Sequence, residues 1–122
     1  MGTVVLEGES GRPYVPAIIA EGRFVFVSGQ TPLRDGTLVE GGLGEQTRAA
    51  LDNVEAILKT AGATLADVVR CGVFLADLGQ LPAFNAAYTA AFQSRLPART
   101  LVGATLPGYG VEIDCIAVLP GT

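Results

Sequence analysis

An α+β fold, a mixed sheet with two helices on one face, is what this 122-residue sequence predicts. Three observations predict it. Short strand-like runs open and close the chain, two stretches of helical period lie between them, and one more apolar strand run separates the helices. The length suits a single domain, residues 1–122, with a modest hydrophobic core.

Thr3 to Leu6 reads as a first short strand. Ile18 to Ala20 and Arg23 to Ser28 read as the arms of a hairpin with Glu21-Gly22 at its turn, because the flanks favour strand and glycine accepts positive φ. Leu33 to Val39 reads as a loop around an Asp-Gly turn, and Gly41, Gly42 and Gly44 mark a bent connection. From about Gly44 to Ala61, the residues Thr47, Ala50, Leu51, Val54, Ile57 and Leu58 recur at helical spacing, while Glu45, Arg48, Asp52, Glu55 and Lys59 take the other face. Gly62 stops this helix, and Thr64 caps a short turn before Asp67.

Val69, Cys71, Val73 and Leu75 then alternate with Val68, Arg70, Gly72 and Phe74, which predicts a strand with apolar groups on both faces. A second helix fits Leu81 to Phe92. Pro82 is tolerated in its first turn, where the amide has no intrahelical partner, and Leu81, Phe84, Tyr88 and Phe92 form its apolar stripe. Thr100 to Ala104 and Val111 to Leu119 are the closing strands, separated by the turn-rich Leu106-Pro107-Gly108-Tyr109-Gly110. With helices on one sheet face, and apolar residues making up 49% of the chain, the other face is expected to be buried against another subunit.

Eight basic and twelve acidic residues leave a net charge of -4, which works against attraction to a phosphate backbone and makes nucleic acid an improbable partner. Cys71 and Cys115 lie in apolar runs and read as buried free thiols in a reducing compartment. The opening MGTVVLEGE lacks the basic region and apolar run of a secretory signal, and no window approaches a membrane span, so a cytoplasmic protein with no membrane association is expected. There is no histidine and no cysteine pair at ligand spacing, so no metal site is expected.

Beyond Ala98 the only charges are Arg99, Glu112 and Asp114. Arg99 opens a strand, where it is either a structural ion-pair or solvent-facing arginine, or a donor fork for a planar carboxylate on a small metabolite. Glu112 and Asp114, two apart, share a strand face. They make either a polar outer surface or a place where Glu112 orients or deprotonates a water. Tyr14, between two prolines, either packs in the core or covers a pocket with its ring. Ser28-Gly29 either forms a turn or permits close backbone approach, and without histidine Ser28 has no partner to activate it as a nucleophile.

The ordered set RPYVPAI, FVFVSGQTP, LVEGGLGEQTRAALDNVEAIL, DVVRCGVFLADLGQLPAFNAAY, LPARTLVGATLP and VEIDCIAV resembles the reactive intermediate deaminase (RidA) family over nearly the whole chain. The resemblance implies a chorismate-mutase-like subunit assembled as a homotrimer with intersubunit clefts. It implies hydrolysis of 2-enamino and 2-imino acids to 2-oxo acids and ammonia, with no cofactor. Arg99 matches the arginine that binds the substrate carboxylate, and Glu112 the acid that positions water. Tyr14, Ser28 and Gly29 match pocket positions, while Asn85 and Tyr88 match helical positions of structural role.

Two departures concern selectivity. Tyr14-Val15-Pro16-Ala17 stands where many members have Tyr-Ser-Gln-Ala, and Leu101 stands where a cysteine or small residue is common, so Leu101 is expected to narrow the cleft or favour an apolar substrate tail. A homotrimer that binds small carboxylates without turnover, as a regulator, is the alternative.

Overall fold

The computed structural model describes residues 2–93 and 95–121. Eight strands and two helices follow in the order β1 (Thr3–Leu6), β2 (Ala17–Ala20), β3 (Phe24–Gln30), β4 (Leu33–Arg34), β5 (Thr37–Leu38), α1 (Leu43–Thr60), β6 (Val68–Leu75), α2 (Leu81–Ala91), β7 (Ala98–Gly103) and β8 (Val111–Val118). The main sheet has the order β3-β8-β6-β7. Only β6 and β7 run parallel, which makes the sheet mixed as expected. Both helices lie on one face, where Leu51, Val54 and Leu58 of α1 and Phe84 and Tyr88 of α2 pack on Cys71, Val73, Leu75, Val111, Ile113 and Cys115.

The Ile18–Ala20 and Arg23–Ser28 hairpin does not form. β2 pairs instead with β1, Thr3 opposite Ala20 and Leu6 opposite Ala17, while β3 pairs with β8. The reason is that each arm finds a longer ladder elsewhere. Gly22, at φ 132°, lets the chain leave one ladder and enter the other. Glu21 N–H donates to Gly2 O and Leu119 N–H to Arg23 O, extending both ladders up to that bend. The β1-β2 ribbon is tacked to the edge of the main sheet by a parallel bridge between Val15 and Ala98.

The segment read as a plain loop, Leu33 to Val39, is a miniature hairpin. Asp35 and Gly36 both hold positive φ, 52° and 79°, the geometry of the two-residue turn that matches strand twist. Helix α1 begins at Leu43, with the Glu45 carboxylate accepting the Gly42 N–H at 2.9 Å. The expected cap at Thr64 is present, its hydroxyl accepting the Ala66 N–H.

Alternation along β8 is clean: Val111, Ile113, Cys115 and Ala117 are buried, while Glu112, Asp114 and Ile116 are half-buried on the opposite face. On β6 a register shift between Val68 and Arg70 turns both Val68 and Val69 inward, and the outer face keeps Arg70, Gly72 and Phe74. Ile116, Phe74 and Val102 carry apolar groups across the outer face, and its most exposed part is on β3, where Phe24 and Phe26 project side by side and Phe26 is 74% exposed.

One core position carries a testable cost. Thr47 is completely buried on α1, and its hydroxyl has no hydrogen-bond partner. An unpaired buried hydroxyl costs about 1–3 kcal/mol, and valine has nearly the same shape. Thr47→Val is expected to stabilise the protein by about 1 kcal/mol, seen as a higher urea midpoint at unchanged slope. An unchanged or lower midpoint would show that the hydroxyl is satisfied.

Candidate active site

Arg99 stands on β7 opposite Cys71 of β6, and in-register neighbours share a sheet face, so its side chain leaves towards the helices. There it enters an aromatic cage. The guanidinium carbon lies 5.0 Å from the ring centre of Tyr88, 5.4 Å from Tyr14 and 5.5 Å from Phe84. Nη1 donates to Asn85 Oδ1 at 2.9 Å. Among the described residues no carboxylate comes within ion-pair distance of it, so the reading of Arg99 as a structural ion pair is not what the structure shows.

Burial lowers the Arg99 pKa from its ordinary value, with the neighbouring Tyr88 and Tyr14 acting in the other direction. A guanidinium remains charged through such a shift. The result is a half-buried cation oriented by one amide and three rings, with donors to spare for an anion. Leu101, two positions along on the same face, is half-buried against the core edge beside it.

The acids are elsewhere. Glu112 stands opposite Phe74, three residues from Cys71, and so projects from the sheet face away from the helices. Within one chain the sheet lies between Arg99 and Glu112. Ser28 and Gly29 are on the Glu112 side, where they form a β-bulge: Val27 pairs with Cys115 and Gln30 with Ile113, so two residues oppose Asp114 alone. A methyl group at Gly29 would collide with the Glu112 carboxylate, so glycine is what lets the acid lie against the strand.

A shallow groove on this outer face, about 370 Å³, is lined by Phe26, Ser28, Gly29, Arg70, Asp114 and Ile116. Asp114 is already engaged. It accepts the Gly72 N–H at 3.1 Å and stands 3.9 Å from Arg70, an exposed pair of small energetic weight. Glu112, in contrast, accepts one hydrogen bond from a residue the sequence reading left in a turn: the Tyr109 phenol donates to Oε1 at 3.1 Å. Its one signal in the sequence was an aromatic side chain set among glycines three residues before an acid.

Thus Arg99, Tyr14 and Leu101 gather on the helix side, and Ser28, Gly29 and Glu112 on the other. Asn85 and Tyr88 do hold structure, but the structure they hold is Arg99. The thiols of Cys71 and Cys115, opposite one another on β6 and β8, are each pushed up to about 12, chiefly by burial, and are protonated at neutral pH. They are poor nucleophiles. Among the described residues no cluster of histidine, cysteine or acid is arranged to hold a metal ion, and no helix is long and apolar enough to cross a membrane.

A family model described as endoribonuclease L-PSP matches residues 7–119. The mitochondrial protein mmf1 of Schizosaccharomyces pombe is 40% identical over 114 residues, covering 89% of this chain and 70% of that one. The 2-iminobutanoate/2-iminopropanoate deaminase of Capra hircus is 41% identical over 110 residues, covering 87% and 80%. Among solved structures, a Rid-family protein of unknown function, YyfB from Yersinia pestis, superposes with a TM-score of 0.85 at 31% identity, over 98% of this chain and all of that one.

Proposed function

This chain belongs to the reactive intermediate deaminase (Rid, L-PSP) family, and on that premise we propose that it hydrolyses 2-enamino and 2-imino acids to 2-oxo acids and ammonia in clefts shared between subunits of a homotrimer. The observation that carries this reading is the oriented, carboxylate-free Arg99 on one sheet face and the Gly29-seated Glu112 on the other. One chain cannot apply both groups to one small substrate. A neighbouring copy can, if the face bearing Phe24 and Phe26 seats against it, which also removes that exposed apolar surface from water.

In the cleft, Arg99 of one subunit clamps the substrate carboxylate with its free donors, while Tyr14 and Leu101 border the substrate's side chain. The enamine tautomerises to the imine, and protonation of the nitrogen makes its carbon electrophilic. Glu112 of the neighbouring subunit takes a proton from water as the oxygen bonds to that carbon, giving a carbinolamine. Glu112 returns that proton to nitrogen, the C–N bond breaks as the hydroxyl oxygen forms the C=O bond, and the hydroxyl's own proton leaves with the nitrogen, so the products are the ketone and ammonium. Imines already react with water, so orientation and local charge are the main demands on the protein.

The description endoribonuclease belongs to the family model, and RNA cleavage is a weaker reading for this chain. Its net charge is -4, and it has no histidine to act as a proton carrier at neutral pH. The two free buried thiols favour a reducing, cytoplasmic setting; the mitochondrial designation is that of mmf1. The test is hydrolysis of freshly generated 2-iminopropionate and bulkier imino acids above the buffer rate. Acceleration supports the reading and ranks the side chains that Leu101 admits, whereas no acceleration across the series sinks it.

A further inference from the structure

We infer that Tyr109 is a positioning residue for Glu112, an inference that rests on the assignment of Glu112 to water activation. The carboxylate is held from two directions. Tyr109 donates to Oε1 at 3.1 Å, and the opposite side of the group lies over Gly29, where any side chain would displace it. The phenol arrives on anchored backbone: Gly110 N–H donates to Gln46 Oε1 on α1 at 2.8 Å, and Gly110 O accepts the Ala76 N–H at 3.0 Å.

A carboxylate offers about four acceptor positions, and Tyr109 occupies one. Torsion about the last bond of a glutamate is broad and soft when free. The phenol on Oε1 and the Gly29 backbone against Oε2 remove that freedom, leaving the carboxylate's remaining acceptor positions to water. Partial burial, and then the hydrogen bond to Glu112, raise the Tyr109 pKa above its usual value, so it remains a donor through the neutral range. Tyr109 carries no proton in the reaction; it fixes the group that does.

Tyr109→Phe keeps the ring and removes the donor. In the imine assay kcat is expected to fall on the order of 10-fold, the consequence of losing a hydrogen bond to a charged group, with KM held within about twofold. Thermal stability and subunit number should stay as in the parent protein. In the Glu112→Gln background the same change should cost nothing further in rate. Ultraviolet titration of the tyrosines reads the contact without turnover: the Tyr109 phenol should ionise at lower pH in Glu112→Gln than in the parent.

An unchanged kcat in Tyr109→Phe, or an equal loss in the Glu112→Gln background, overturns the positioning role alone. Absence of turnover in the parent protein overturns the Glu112 assignment and this role with it. A titration unaffected by Glu112→Gln overturns the contact itself.

Discussion

Replacing Arg99 by alanine is expected to lower kcat/KM for a 2-imino acid by about 10²- to 10³-fold, mainly through KM. The guanidinium is already oriented by Asn85 and by the rings of Tyr14, Phe84 and Tyr88, so little ordering remains to be done when a carboxylate arrives. Removing it deletes the clamp and opens a void in the cage. Arg99→Lys guards against a merely structural loss: it keeps the charge and most of the packing but not the planar fork, so recovery should be partial. Steady-state kinetics on imino acids and their uncharged amides decide the matter. Equal effects on both substrate types, or none, remove Arg99 from carboxylate binding.

The second large effect is expected on kcat. Glu112→Gln should slow hydrolysis by about 10²- to 10⁴-fold, the usual contribution of a positioned general base, and leave KM nearly unchanged. Glutamine fits the same space over Gly29, and its carbonyl oxygen still accepts from Tyr109, so the strand and the assembly should survive. Single-turnover rates in intact oligomers provide the measurement. Saturable binding of 2-oxo acids, together with the same negligible turnover in parent and variant, would establish instead a carboxylate-binding regulator.

Periodicity made the two helices and β6 legible because most of each segment's apolar spacing agrees with the tertiary packing: Leu51, Val54 and Leu58 on α1, and Phe84 and Tyr88 on α2, face the core, while Ile57, read as part of the α1 stripe, is 38% exposed. The failed hairpin shows where local reading stops. Glu21-Gly22 has turn composition, but strand partners are chosen by ladders many residues away, and β8 offers β3 a longer one than β2 does.

At the site, residue types suggested chemistry but not placement. Asn85 is one helical turn from Tyr88, yet only the parallel pairing of β6 and β7 brings Arg99 beneath them. Equally, the two-residue spacing of Glu112 and Asp114 gave their common face without separating their duties. Gly72 engages Asp114, while Gly29 and Tyr109 hold Glu112.

The sheet stands between Arg99 and Glu112 of one chain, so the two groups are genetically separable. If each cleft takes its arginine from one copy and its glutamate from the next, Arg99→Ala and Glu112→Gln are not lesions in the same working unit. Two dead alleles should complement. Co-expressed in equal amounts and mixed at random, they rebuild about a quarter of the clefts with both groups intact, in an oligomer of any cyclic order. A double mutant carrying both changes on one chain, mixed with either single mutant, rebuilds none. Activity that reappears only in the first mixture belongs to the junction between chains and to no chain alone.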